Sequence, residues 1–139
     1  MSELLSEARR LVENGARFVA LSPAGGRIVS DSAGIAFLTG IAGAPGALGG
    51  YAVADRIVGR AAAYLMLRAG VKELYAFVLS EGGREVLESG GVRFSYGTLT
   101  EKIINRAGTD ICPMEKAVSG VPLVGTEEAY RILSEKISR

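Results

Sequence analysis

Apolar residues near the start of the chain recur at helical spacing. Leu4, Leu5, Ala8, Leu11 and Val12 follow Ser2, an N-cap candidate, and run to the stop signal Asn14-Gly15. From Arg17 to Ser22 the period shortens to two, with Phe18 and Ala20 on one face and Val19 and Leu21 on the other. Pro23-Ala24-Gly25-Gly26 is a turn, and Arg27 to Ser30 is the return strand of a hairpin. Ile35, Leu38 and Ile41 space a short helix, and glycines at 40, 43, 46, 49 and 50 follow it with Pro45. The next pattern predicts a long helix from near Tyr51 to Ala69-Gly70. Val53, Ile57, Ala61, Tyr64 and Leu65 mark its main face, and Gly59, Ala62 and Ala63 a close-packing one. Lys72 to Leu79 reads as a strand covered on both sides. Ser80-Glu81 opens a helix that carries Val86 and Leu87 and ends at Gly90-Gly91, and Val92 to Tyr96 is the next strand. A short helix is expected around Leu99 to Asn105, then a loop from Arg106 to Ile111 and a turn or short helix at Cys112-Pro113. Thr126 is expected to cap a last helix, Glu127 to Ile137.

Composition narrows the class. The chain has 139 residues and a mass of 14.5 kDa, read as a single domain over 1–139 with one sizeable core. Sixteen Lys and Arg against fifteen Asp and Glu give +1, which points to neither nucleic acid nor an anionic membrane. The apolar run Ala61 to Leu67, bounded by Arg60 and Arg68, is too short to span a bilayer. MSELLSEARR lacks the apolar core of a signal peptide, and a single cysteine suits a reducing cytoplasm. The chain contains no histidine and one cysteine, Cys112, which removes His-based acid/base chemistry, most metal sites and any internal disulfide.

Two segments carry a resemblance. The run from Ala52-Val53-Ala54-Asp55-Arg56 through Ile57-Val58-Gly59-Arg60 to Ala61-Ala62-Ala63 is similar to the V-A-D-K-V-V-G-K-A-A-A segment of a family of domains of unknown function. Ile103-Ile104-Asn105-Arg106, followed by Asp110-Ile111-Cys112-Pro113-Met114-Glu115-Lys116, resembles that family's second signature, I-I-N-R then C-P-M-E-K. The glycine-rich stretch from Thr39 to Gly50 departs from the family, whose members are expected to carry a longer helix there. The resemblance implies an α/β, cytidine-deaminase-like three-layer fold, a mixed central sheet with helices on both faces. It implies no reaction. Zinc deaminases of that fold need a His or Cys with a Glu two residues on at one helix start and P-C-x-x-C at the next. The helix starts expected here hold Ala54-Asp55-Arg56 and Ser80-Glu81-Gly82-Gly83, so no zinc site is expected.

Candidate chemistry then falls to two helix starts and one loop. Unpaired N–H groups at helix N-termini favour anions and carbonyls. In the expected fold Asp55, Arg56, Ser80 and Glu81 gather at such termini, and Arg56 and Arg60, one turn apart, can hold a phosphate. The plainer reading makes Asp55 a first-turn carboxylate and both arginines solvated or ion-paired. Cys112 precedes Pro113 and has Glu115 at capping-box distance, and a helix start with Arg106 or Lys116 nearby can activate a thiol. It can equally be a small buried hydrophobe, with Asn105-Arg106 a polar clasp for its loop. The glycine run matches neither G-x-G-x-x-G nor a P-loop, and close packing or a flexible loop is its better reading.

Three functions from different classes remain. One is a domain binding a small molecule, a nucleotide or nucleotide sugar, in a pocket joining Asp55, Ser80, Glu81, Asn105, Cys112 and Glu115. Another is a non-metal enzyme using Cys112 or the carboxylates Asp55, Glu81 and Glu115. The third is a homo-oligomeric interaction module with a vestigial pocket.

Overall fold

The computed structural model describes residues 1–32, 34–104 and 112–138. Helix α1 (Glu3–Glu13) starts at Ser2, whose Oγ accepts the Leu5 N–H at 3.1 Å, and stops at Asn14. Gly15 turns the chain at a φ of +125°, where a side chain would be strained. β1 (Phe18–Leu21) and β2 (Arg27–Ser30) form the expected antiparallel hairpin, and α2 (Ile35–Ala42) follows.

The segment expected to be the first half of a long helix is a strand. β3 (Ala52–Val58) pairs antiparallel with β1 and parallel with β4 (Glu73–Ser80), and α3 (Arg60–Ala69) begins only after Gly59. The cause is burial on both sides. Ala52 and Ala54 face α1, while Val53 enters the core beneath α3. A strand covered on both faces shows no polar alternation, and its alanines run into those of α3, so helical spacing continues by coincidence. Pairing with distant strands decides the matter.

α4 (Glu81–Ser89), β5 (Arg93–Thr100), α5 (Pro113–Ala117) and α6 (Thr126–Ile137) complete the described elements. The five-stranded mixed sheet has the order β2-β1-β3-β4-β5, with β3, β4 and β5 parallel. On one face α1 buries Leu5, Ala8 and Val12 against Val19, Ala54 and Tyr75. On the other, Phe18, Val53, Tyr64, Leu74, Leu87 and Leu133 form the larger core. Leu99 and Thr100 extend β5, in register with Leu79 and Ser80, and are not part of a helix. Thr126 is the first residue of α6, and Gly125 is its N-cap.

The glycine-rich stretch is a packing device at the far end of α3. Gly46 N–H donates to the Arg68 carbonyl at 3.0 Å and Leu48 N–H to the Ala69 carbonyl at 2.7 Å, satisfying the helix C-terminus. A Cβ on Gly70 would lie 3.3 Å from Gly46 Cα, so the backbones touch. These amides are committed to α3, which removes the phosphate-loop reading.

Candidate functional site

A cavity of about 620 Å³ opens at the carboxyl end of β3. This is where open α/β sheets commonly seat ligands, because strand ends and connecting loops leave a crevice there. The register Phe18↔Asp55 sets Arg17, one residue before β1, beside the end of β3. Asp55, Arg17, Arg56, Cys112 and Glu115 line the space together with the apolar Ile35, Ile57, Ala62, Ile103 and Met114.

Asp55 is the unusual group. It is only 6% exposed, and this burial raises its pKa from 3.8 to about 7. The backbone N–H groups of Arg56 (2.8 Å) and Ile57 pull the other way without cancelling it. Near neutral pH its carboxyl can therefore either accept or donate a hydrogen bond. Arg56 is exposed, and its guanidinium donates to the Val12 carbonyl at 2.9 Å, tying α1 to β3.

Glu115 holds the N-terminus of α3. Its Oε1 accepts the Arg60 N–H and its Oε2 the Ala61 N–H, each at 2.7 Å. Two orphan amides are thus met by one carboxylate from another element, and its charge complements the helix dipole. Gly59 makes room for it. Gly59 has extended backbone (φ −105°, ψ −170°), and a Cβ there would lie 2.6 Å from Glu115 Cδ and 2.9 Å from Ile103 Cγ1. The expectation that Gly59 lies on the close-packing face of a long helix is corrected. It is the strand-to-helix junction.

Several expected site residues are occupied elsewhere. The Arg60 guanidinium donates to the Val118 carbonyl at 3.3 Å and the Val121 carbonyl at 2.7 Å, where the Tyr64 hydroxyl also donates at 2.7 Å. Arg60 clasps the α5–α6 connection, and it is not one turn from Arg56, which lies on β3. Ser80 is buried and N-caps α4 by accepting the Gly83 N–H at 3.0 Å. Glu81 is exposed on the first turn of α4, and neither residue lines the cavity. Cys112 precedes Pro113 as expected but makes no side-chain cap. Its N–H bonds to the Ile103 carbonyl at 2.9 Å, and Glu115 serves α3 rather than a capping box. Asn105 and Arg106 lie outside the described residues. The cavity therefore gathers Asp55, Arg56, Cys112 and Glu115 of the expected set.

The family model for a domain of unknown function, DUF1893, matches residues 7–137. The chain belongs to the DUF1893 family. It is similar to the crystal structure of a DUF1893 family protein (TM1506) from Thermotoga maritima, with a TM-score of 0.86 and 27% identity. That match covers 98% of this chain and 91% of the other. No curated protein matches it.

In this DUF1893 chain the donor set does not fit the zinc of a deaminase-type site. The helix starts are Gly59-Arg60-Ala61 and Ser80-Glu81, the sequence has no histidine, and no group of three His, Cys, Asp or Glu able to hold a metal occurs among the described residues. The DUF1893 cavity also contains residues that sequence reasoning missed, chiefly Arg17, Ile35 and Met114. Arg17 becomes a neighbour of Asp55 only once β3 is known to pair with β1. Met114 was within reach, because it sits inside the C-P-M-E-K signature.

Proposed function

We propose that this DUF1893 chain is a metal-free, cytidine-deaminase-like domain that binds a nucleotide or nucleotide sugar in the cavity at the end of β3. One observation carries this reading: a cavity of about 620 Å³ is lined by a buried carboxyl group, two arginines and an apolar wall, and burial pushes that carboxyl up to about 7. Small-molecule sites are typically clefts of this size, mostly apolar with a few placed polar groups. A base ring fits against Ile35, Ala62 and Met114, with its ring N–H or amino group facing Asp55. Phosphates lie toward Arg17 and Arg56 as counter-charges. They do not reach the helix N-termini, because Glu115 and Ser80 already meet those amides.

The mixed sheet, its antiparallel first strand and the helices on both faces support the deaminase-like reading of the fold. The single free thiol supports a reducing, cytoplasmic setting. No described helix is long and apolar enough to cross a membrane.

A thermal-shift panel of nucleoside phosphates and nucleotide sugars tests the proposal. At least one member raises Tm, and Asp55→Ala and Arg56→Ala each reduce that rise while leaving the fold intact. A panel with no shift overturns it. One observation favours a second reading, a non-metal enzyme: Cys112 borders the same cavity as Asp55. Recovery of every panel ligand chemically unchanged after long incubation removes that reading.

A further inference from the structure

β5 is an edge strand of eight residues, Arg93-Phe94-Ser95-Tyr96-Gly97-Thr98-Leu99-Thr100, twice as long as β2 at the other edge. At about 3.3 Å per residue it presents a row of backbone groups roughly 26 Å long. Among the described residues, no backbone hydrogen bond from outside the sheet reaches it. The chain turns inward after it. Ile103 lies beside Gly59, and the Cys112 N–H returns to the Ile103 carbonyl, two strands away from the edge.

Edge strands that stay solitary carry protective features: lysine, proline, a bulge or short length. β5 has no lysine or proline, its one charged side chain is Arg93 at its first position, and it runs in unbroken register with β4 from Arg93 to Tyr96 and again from Thr98 to Thr100. It exposes one large apolar side chain on each face, Tyr96 (41% exposed) and Leu99 (36%).

We infer that β5 pairs with β5 of a second copy of this chain, antiparallel and centred on Gly97, to make one continuous ten-stranded sheet. The sequence is self-complementary in that register. Tyr96 falls opposite Thr98 and Leu99 opposite Ser95, while Arg93, which also lies 3.8 Å from Glu73 of its own chain, comes opposite Glu101, one residue past the end of β5 of the other copy. Opposite charges directly across an antiparallel pair are favourable, and aromatic and β-branched neighbours cover each other. The residue on the two-fold axis bears no side chain, so the two strands meet there without conflict. Gly97 is bare for a local reason as well: a Cβ would lie 3.0 Å from the Phe77 carbonyl and from Tyr75 Oη. A two-fold axis uses the same patch on both copies and closes the assembly at two.

Sedimentation equilibrium at micromolar concentrations, together with cysteine cross-linking, tests the inference. The native chain sediments at twice its 14.5 kDa mass, and Tyr96→Lys with Leu99→Lys returns it to the monomer with an unchanged circular-dichroism spectrum. In a Cys112→Ser background, a mixture of Tyr96→Cys and Thr98→Cys chains cross-links on mild oxidation, because opposed Cα atoms about 4.5–5.5 Å apart fall within disulfide range. Each variant alone cross-links at least tenfold less. A monomeric native chain overturns the inference, as does a dimer that survives both lysines. Cross-linking of either variant alone as strong as that of the mixture overturns the Gly97 register. None of these outcomes depends on nucleotide binding.

Discussion

Replacing Asp55 by Asn gives a stability change whose size and sign follow from burial. The carboxyl group has a pKa of about 7 in the folded chain against 3.8 in its ordinary setting. It therefore holds a proton more tightly when folded. Between those values the unfolded chain binds fewer protons, so stability falls as pH rises from about 4 and levels off above about 7. A gap of about 3 pH units, at about 1.4 kcal/mol each, makes the full cost of ionising Asp55 in place about 4 kcal/mol. Asparagine has nearly the same shape, keeps an oxygen for the Arg56 N–H at 2.8 Å and never ionises. Urea unfolding of the native chain and Asp55→Asn should therefore agree closely at pH 4. At pH 8 the variant should be more stable by about 2–4 kcal/mol, the lower end allowing for water entering from the cavity. Arg17 and Arg56, the cations of the cavity, and Glu115 remain in both proteins; attraction of the arginines for the Asp55 carboxylate is lost in the variant, which also favours the lower end of that range. A difference that does not change between pH 4 and 8 would refute the reasoning and put Asp55 in an environment where it ionises normally.

Three further outcomes follow from the same geometry. Glu115→Ala removes both acceptors from the first amides of α3 and should cost about 2–4 kcal/mol, lowering Tm by roughly 6–15 °C in a calorimetric scan; a loss under 2 °C contradicts the cap. Gly59→Ala displaces the same carboxylate, so the Gly59→Ala/Glu115→Ala double variant should be no less stable than Gly59→Ala alone, whereas additive losses in urea unfolding would show the two residues to be independent. Arg60→Met should destabilise by about 1–3 kcal/mol through loss of the Val118 and Val121 carbonyl bonds yet leave nucleotide affinity within twofold; a tenfold loss of affinity with normal stability would return Arg60 to the site.

What the sequence disclosed depended on how local the signal was. Ser2, Asn14-Gly15, Ser80 and Gly90-Gly91 mark helix ends by cap chemistry, and the hairpin announces itself by alternation and a Pro-Gly turn, so these elements are where the pattern puts them. β3 was hidden because its strand character comes from β1 and β4, far off in the chain, while its own residues also suit a helix. The clue lay in the β-branched Val53, Ile57 and Val58 followed by Gly59, a break before the alanine run. That one misplacement carried into the site. It joined Arg56 to Arg60 on a single helix and hid Arg17, yet left Asp55, Cys112 and Glu115 around one cavity, because the two signature segments do meet there. The partner of Glu115 was equally invisible, since a carboxylate three residues after Cys112 gives no sign that it will cap a helix 54 residues earlier.

The central claim, that the Asp55 cavity is a nucleotide site, is tested most directly by calorimetric titration at pH 7. The ligands are those of the panel that raise Tm, added to the native chain and to Asp55→Ala at matched concentrations. The account predicts one site per chain in the native protein and at least a tenfold weaker site in the variant, with Glu81→Ala titrating like the native chain. No binding heat with any of these ligands, or equal affinity in Asp55→Ala, would contradict it.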